Sequence, residues 1–324
     1  MAGRLIPCPA LAGEGHGGGI SARLPDGRLH LQHGPIDLII TAQGPGAPEA
    51  YRAAERAFAG VLETLVAELP LLRAPAADTP APVTGPVARR MVAAVHPHRE
   101  KFITPMAAVA GSVADHILAA MLGAGPLETA FVNNGGDIAL HVAAGAQLRI
   151  GLVRSLARGA PEGQAMITRG MGVGGIATSG WPGRSFSRGI ADAVTILARD
   201  AATADAAATV IANAVNVDHP AVRRAPARSL DPDSDLGERL VTVGVGALPE
   251  DVVALALADG ARVAEGLRAC GLIVAALLAV GDVIRVVRGG DVLGVSTRSN
   301  TAPARPHPPS APPSPPHTGC APSR

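Results

Sequence analysis

Apolar residues recur along the chain with two different periods, and the switching between them predicts a mixed fold. Short alternating runs between Ile20 and Leu31 flank Leu24-Pro25-Asp26-Gly27, a turn signal that predicts a β-hairpin. Ile36 to Thr41 predicts a further strand. Pro48 opens a helix reaching about Leu69, because Ala54, Phe58, Val61, Leu62, Leu65 and Leu69 keep one face. Pro105 opens another, with Met106, Val109, Val113, Ile117 and Met121 as its buried stripe. Phe131–Asn133, Ile138–Val142, Leu148–Val153, Gly174–Thr178 and Ala193–Ala198 read as strands. Helices follow from about Thr203 to Val215 and from Pro249 to Ala269, and Ile273 to Val295 reads as a meander. Strands in runs with helices inserted predict an α+β fold rather than regular βαβ winding.

Proline and glycine clusters divide the chain. Ala74–Pro86 reads as a linker or long loop, and Asp218–Gly237 as a surface loop. Residues 1–19 are expected to be a flexible segment and 20–298 the folded domain. Residues 299–324 are rich in proline and hold no large apolar side chain, so they cannot offset their ordering entropy and are expected to be disordered.

Composition narrows the function. The formal net charge is +1, which leaves no footprint for nucleic acid or an anionic membrane surface. Aromatics make up 2%, too few for a base-stacking surface, so the core falls to Val, Ile, Leu and Ala. Cys8, Cys270 and Cys320 lie far apart with no CxxC, which reads as free thiols in a reducing compartment. The most apolar run, Gly271–Val280, falls short of the ~20 residues of a membrane helix. The N-terminus lacks the apolar stretch of a signal peptide, and a cytoplasmic location is expected.

Several segments carry candidate chemistry. Asp205 and Thr209 lie four apart on a helix, so a carboxylate and a hydroxyl share one face across three alanines. Such hard oxygen ligands suit Mg²⁺ bound together with phosphates. The same residues equally suit a plain helix start, with Thr203 as N-cap and Asp205 near the positive dipole end. Asn133-Asn134-Gly135-Gly136-Asp137 leaves a strand as either a hairpin turn or a backbone nest for a ligand, with Asp137 as acceptor. Thr178, Ser179 and Gly180 offer hydroxyls and close backbone approach at another strand end. Arg184 to Asp192 forms a cationic, hydroxyl-rich stretch. Gly170–Gly175 matches GxGxxG but precedes Ile-Ala-Thr-Ser-Gly-Trp-Pro rather than a helix, so the dinucleotide fingerprint fails its context. His96-Pro97-His98 is expected to be solvent-exposed, since no third metal ligand lies nearby.

Taken in order, Ala-Gly-Ser-Val-Ala-Asp at 110–115, Asn-Asn-Gly-Gly-Asp at 133–137, Ala-Thr-Ser-Gly at 177–180 and Ala-Asp-Ala-Ala-Ala-Thr at 204–209 resemble the ordered motifs of the ApbE superfamily, the FAD:protein FMN transferases. The likeness covers about residues 20–295, and the segment Ser185–Thr195, ending Ala-Asp-Ala-Val-Thr, is most similar to a cytoplasmic side family of that superfamily. The resemblance implies an ApbE-like α+β fold with two mixed α/β halves around a central cleft, and FAD as substrate. It implies a Mg²⁺ ion on Asp205, Thr209 and a backbone carbonyl best matched by Ala107, with Asp205 and Thr209 as the catalytic pair. Ligand contacts carry over onto Asp115, Asn133, Gly135, Gly136, Asp137, Thr178, Ser179, Gly180, Ser185 and Asp192. In that family a hydroxyl of an acceptor protein attacks the FAD pyrophosphate, FMN is transferred and AMP leaves.

The chain departs from the family at two places. Ala110 stands where a lysine precedes the glycine, and Trp181–Asp192 holds no histidine where one follows the Thr-Ser-Gly. Arg184, Ser185 and Arg188 are the candidate replacements for a phosphate contact, and Trp181, Tyr51 and Phe186 the aromatics available to stack on a flavin. The expected function is a Mg-dependent flavin transferase or FAD pyrophosphate-cleaving enzyme. The alternative is a non-transferring protein that uses the same cleft for a flavin, pterin-like or other phosphorylated ligand. The expected partners are that ligand, an acceptor protein and a second copy in a homodimer, with no nucleic acid or membrane.

Overall fold

The computed structural model describes residues 19–152 and 163–288. The segments expected to be flexible (1–19, save Gly19) and disordered (299–324), the end of the 148–153 strand and the meander beyond 288 lie outside these residues.

The chain begins with an antiparallel run, β1 (Ile20–Arg23), β2 (Leu29–His33) and β3 (Ile36–Gln43). Leu29, Leu31, Leu38 and Ile40 alternate inward and are fully buried. Three helices follow where one was expected: α1 (Ala47–Phe58), α2 (Val61–Ala67) and α3 (Leu69–Leu72). Gly60, at φ +78°, breaks the helix. The apolar stripe continues across the break because Val61 and Leu65 still face the core that holds Ala54 and Phe58.

The proline-rich stretch then runs as loop and delivers α4 (Pro86–Val95), a helix that the sequence reading lacked. The Glu68 carboxylate accepts from the N–H groups of Thr84 and Gly85 and so anchors its start. A 3₁₀ turn over Pro105–Ala108 leads into α5 (Val109–Ala124). The helix from Pro105 to Ala124 is long and apolar enough to cross a membrane, but Val113, Ala114, Ile117 and Met121 are fully buried in the core with α1 and the sheet.

Then come β4 (Thr129–Asn134), β5 (Asp137–Val142), β6 (Gln147–Leu152), β7 (Gly163–Thr168), β8 (Gly175–Ser179), β9 (Ala193–Ala198) and α6 (Ala201–Ala214). The expected surface loop at 218–237 holds instead β10 (Val222–Pro226) and α7 (Ala227–Leu230), with β10 paired to β11 (Leu240–Val245). The pairing partner lies beyond the polar, proline-interrupted stretch, so local pattern could not show it. The described chain ends with α8 (Glu250–Ala269), β12 (Ala275–Val280) and β13 (Val283–Arg288).

Among the described residues nine strands form one sheet in the order β1-β2-β3-β4-β5-β8-β9-β12-β13, and every pairing in it is antiparallel. This is an α+β arrangement whose two halves share one continuous sheet. α1 and α5 pack with β2–β5 in one core, and α6 and α8 pack with β8, β9 and β12 in a second. The β6–β7 hairpin lies on the opposite face, where Leu148, Ile150 and Ile167 meet Phe131, Ile138 and Leu140.

Small residues make this packing close. A Cβ at Gly260 of α8 would press on Val215 and Leu278, whereas one at Gly266 of the same helix would meet open space. Gly260→Ala is expected to destabilise the fold by about 1–3 kcal/mol through overpacking. Gly266→Ala is expected to stabilise it by up to ~1 kcal/mol through helix propensity. Urea denaturation of the two variants checks the pair, and equal midpoints would contradict this packing.

Candidate functional site

The Asn-Asn-Gly-Gly-Asp segment is a hairpin. Asn134 ends β4, Asp137 begins β5, and the two are paired across the turn. Gly135 and Gly136 take φ values of +64° and +116°, the left-handed region that a two-residue hairpin turn requires. Asn133 Oδ1 accepts from the Gly136 N–H at 2.8 Å and stiffens the turn. Strand alternation sends the next two polar side chains to the helix-bearing face. There Asn134 Nδ2 donates to the Ala110 carbonyl at 3.1 Å, and Asp137 Oδ1 accepts from the Thr178 N–H at 3.3 Å.

The adjoining starts of α5 and α6 are built from each other. Asp115 on α5 accepts from the N–H groups of Ala201 and Ala202, at 3.0 and 2.8 Å, in the first turn of α6. Asp205 on α6 accepts from the Gly111 N–H in the first turn of α5 at 3.0 Å. A helix start leaves N–H groups without intrahelical partners, and a carboxylate there also meets the positive end of the dipole. Gly111 permits the crossing, since a Cβ there would overlap the Ala201 carbonyl. Asp200, rather than Thr203, is the N-cap of α6, accepting from the Thr203 N–H at 2.7 Å.

These contacts bring four separated segments into one cluster: the α5 start, the β4–β5 turn, the end of β8 and the α6 start. Burial holds the carboxyls of Asp115, Asp137 and Asp205 above the usual carboxylate range. Asp115 is pushed up to about 6. Asp205 is raised well above its ordinary value, by burial first and by the Asp137 charge second. The Thr178 N–H and the Arg184 guanidinium act in the opposite sense on Asp137. Asp137, Asp205 and Thr209 keep partial exposure, so the cluster opens to solvent on one side.

The residues expected at the site divide by what their side chains do. Asp205 and Thr209 lie one turn apart on α6, and the 3₁₀ turn that carries Ala107 packs on the same helix, against Ala202, Ala206 and Val210. Among the described residues no three His, Cys, Asp or Glu side chains gather as an ion site. The hard oxygen donors on this turn of α6 are the Asp205 carboxylate and the Thr209 hydroxyl. A cation beside Asp205 would relieve the Asp137–Asp205 repulsion that raises its proton affinity.

Asp115 and Asp192 have other work. Both Asp115 oxygens serve the α6 start, while Asp192 accepts from Trp181 Nε1 at 3.2 Å and from the Gly281 N–H at 2.6 Å. Thr178 offers the cluster its N–H, while its hydroxyl meets the Thr195 hydroxyl at 2.9 Å. Ser179 and Gly180 close β8, and Ser185 is exposed in the following loop. Of the aromatics, Trp181 and Phe186 belong to that loop. Tyr51 is instead buried in the first core, its hydroxyl bonded to the Ala42 N–H at 3.0 Å and its ring covered by Arg23. The His-Pro-His segment corrects another expectation. It is a 3₁₀ turn continuing α4, which carries His98 inward to 5% exposure, where burial depresses its pKa to about 4.

Asn134, Gly111 and Asp200 were missing from the expected site residues. Asn134 sits inside a recognised motif, and only strand parity at the turn assigns it to the helix face. A cavity of about 220 Å³ lies elsewhere, lined by Leu71, Pro75, Pro80, Val92, His96 and Pro105. It contains none of the clustered carboxylates.

A family profile described as AbpE bacteria matches residues 21–290. The UPF0280 protein of Methanosarcina acetivorans is 35% identical over 203 residues, which cover 60% of this chain and 74% of that protein. The UPF0280 protein of Methanosarcina barkeri is 33% identical over 193 residues, covering 58% and 72%. Among solved structures, the flavin transferase ApbE from Vibrio cholerae aligns with a TM-score of 0.43 at 14% identity, over 84% of this chain and 96% of that one.

Asp115→Ala leaves two buried N–H groups without partners and is expected to cost about 2–4 kcal/mol in urea denaturation. Its pH dependence has a definite sign. The folded pKa of about 6 lies above the unfolded value of 3.8. The Asp115 contribution to stability is therefore fully present below the unfolded pKa and is lost as pH rises through the folded one. Relative to Asp115→Asn, the wild-type chain should lose on the order of 3 kcal/mol between those limits. Parallel pH profiles of the two proteins would show that Asp115 does not titrate in this way.

Proposed function

We propose a flavin-transferase-like function from one premise: the chain belongs to the AbpE bacteria family, whose profile matches residues 21–290. The observation that carries the reading is the convergence of Ala110–Asp115, Asn133–Asp137, Thr178–Gly180 and Asp205–Thr209, scattered over a hundred residues of sequence, on one acidic cleft. In this reading the chain transfers FMN from FAD to a hydroxyl of an acceptor protein, or to water when no acceptor is present.

Asp205, Thr209 and the Ala107 carbonyl are the groups that would hold Mg²⁺. When bound, the ion supplies charge neutralisation at the pyrophosphate. The chain's own residues do the positioning. The Gly135–Gly136 turn presents backbone without side-chain bulk. Asp137, held by the Thr178 N–H, stands as an acceptor toward ligand hydroxyls. Asp115 fixes the α6 start and with it the place of Asp205. The acceptor oxygen bonds to the FMN-side phosphorus as the bond from that phosphorus to the bridging oxygen breaks. AMP leaves with that electron pair, and the hydroxyl proton passes to solvent. A cytoplasmic location completes the proposal.

Purified protein incubated with FAD and Mg²⁺ is expected to release AMP and FMN, resolved by chromatography, and chelator should abolish the release. Asp205→Asn is expected to reduce it roughly 100-fold. FAD binding without any AMP would instead mark the chain as a binding protein of the same cleft.

The raised proton affinities of Asp205 and Asp137 give a second expectation. Protons and Mg²⁺ compete for the same carboxylate, so the ion's affinity, measured by calorimetry, should go on strengthening as pH rises above the ordinary carboxylate range. Tight binding that is flat above that range would remove Asp205 from the ligand set.

A further inference from the structure

Resting on that flavin-transferase-like reading, we propose that Arg184 is a ligand-binding residue of the site: its guanidinium, seated on the bare backbone of the Gly135–Gly136 turn, engages the diphosphate of the ligand. The first observation is steric. A Cβ at Gly135 would fall on the Arg184 guanidinium itself. The turn geometry alone is compatible with asparagine at this position, since asparagine tolerates the left-handed region. The contact places the Arg184 guanidinium directly against the turn; as the far end of a flexible side chain it could move aside, so it is the φ of +64° that favours glycine or asparagine here.

The second observation is availability. Arg184 is exposed, and among the described residues it forms no hydrogen bond or close ion pair, although Asp137 feels its charge. Its guanidinium donors are thus open to a ligand, in the planar fork that matches phosphate oxygens.

The third is charge balance. The cluster is rich in carboxylates, and the charges of Asp137 and Asp115 both act on Asp205. A diphosphate brought to these carboxylates is repelled unless cations stand between them. Arg184 is the chain's own cation at the turn, on a loop that Asp192 anchors through Trp181 and Gly281. Arg184 therefore rewards the anionic part of a ligand, whatever its ring system. FAD and ADP share that part, and the test separates them.

The experiment is calorimetric titration of the full chain, with Mg²⁺ present, using FAD and ADP as probes. Arg184→Ala is expected to weaken both by roughly 10- to 100-fold, the range for a lost charge-assisted hydrogen bond. Arg184→Lys should fall between, because it keeps the charge and loses the fork. Thermal melts should be unchanged, since the side chain is exposed. Unchanged FAD and ADP affinity in Arg184→Ala overturns the assignment and leaves the flavin reading standing. ADP binding that depends on Arg184, in a chain that does not bind FAD, keeps the assignment and overturns the flavin reading. Binding of neither probe by the wild-type chain overturns both.

Discussion

Asp115 on α5 accepts from the first amides of α6, and Asp205 on α6 accepts from the first turn of α5, so each helix carries the carboxylate that closes the other's start. This exchange is more than a pair of caps. α5 belongs to the core under β2–β5, and α6 to the core under β8, β9 and β12. The exchange therefore joins the two helical layers above a single sheet, at the point where the sheet's β4–β5 turn also arrives. Gly111 sets how close the helices come, and the Asn134 amide ties the turn to the α5 start. Each part of the acidic cleft takes its position from this crossing.

The arrangement carries an electrostatic cost. Three carboxylates share a partly enclosed region, and burial raises the proton affinity of all three. A fold selected for stability alone would do better with fewer charges there, because burying like charges costs more than the amide contacts return. Asp115 offsets its share through two short amide contacts. Asp205 and Asp137 are left with the mutual repulsion and with an opening to solvent. Unrelieved charge next to an opening is what a site for a cation and an anionic ligand requires, and the same opening lies beside Arg184 and the bare turn.

Much of this was legible in local pattern. The inward alternation of Leu29, Leu31, Leu38 and Ile40 marked the first strands, and the stripe Val113, Ile117, Met121 marked α5, because both rest on short-range periodicity. The paired glycines marked their turn for the same kind of reason. Other features escaped. The break at Gly60 was hidden because the apolar stripe resumes in phase after it. α4 was hidden by the prolines before it, and β10 by a partner fourteen or more residues away. Tyr51 read as an available ring until the buried contact with Ala42 and the cover of Arg23 placed it in the core.

The sequence by itself determined those elements that rest on local period, and which residue types are present for chemistry, since helix and strand periods, turn glycines and motif spacing act over a few residues. It also determined the family, through four short motifs in order. Only the tertiary structure decided what each carboxylate does. Asp115, Asp192 and Asp205 look alike along the chain, as acidic residues beside small ones. Asp115 and Asp192 spend both oxygens on N–H donors, while Asp205 meets the α5 start at Gly111 and also the field of Asp137. The difference comes from which helix start or loop lies within 3 Å or so of the side chain, the reach of a hydrogen bond. That distance is fixed by how α5, α6 and the sheet pack, and no local spacing encodes it.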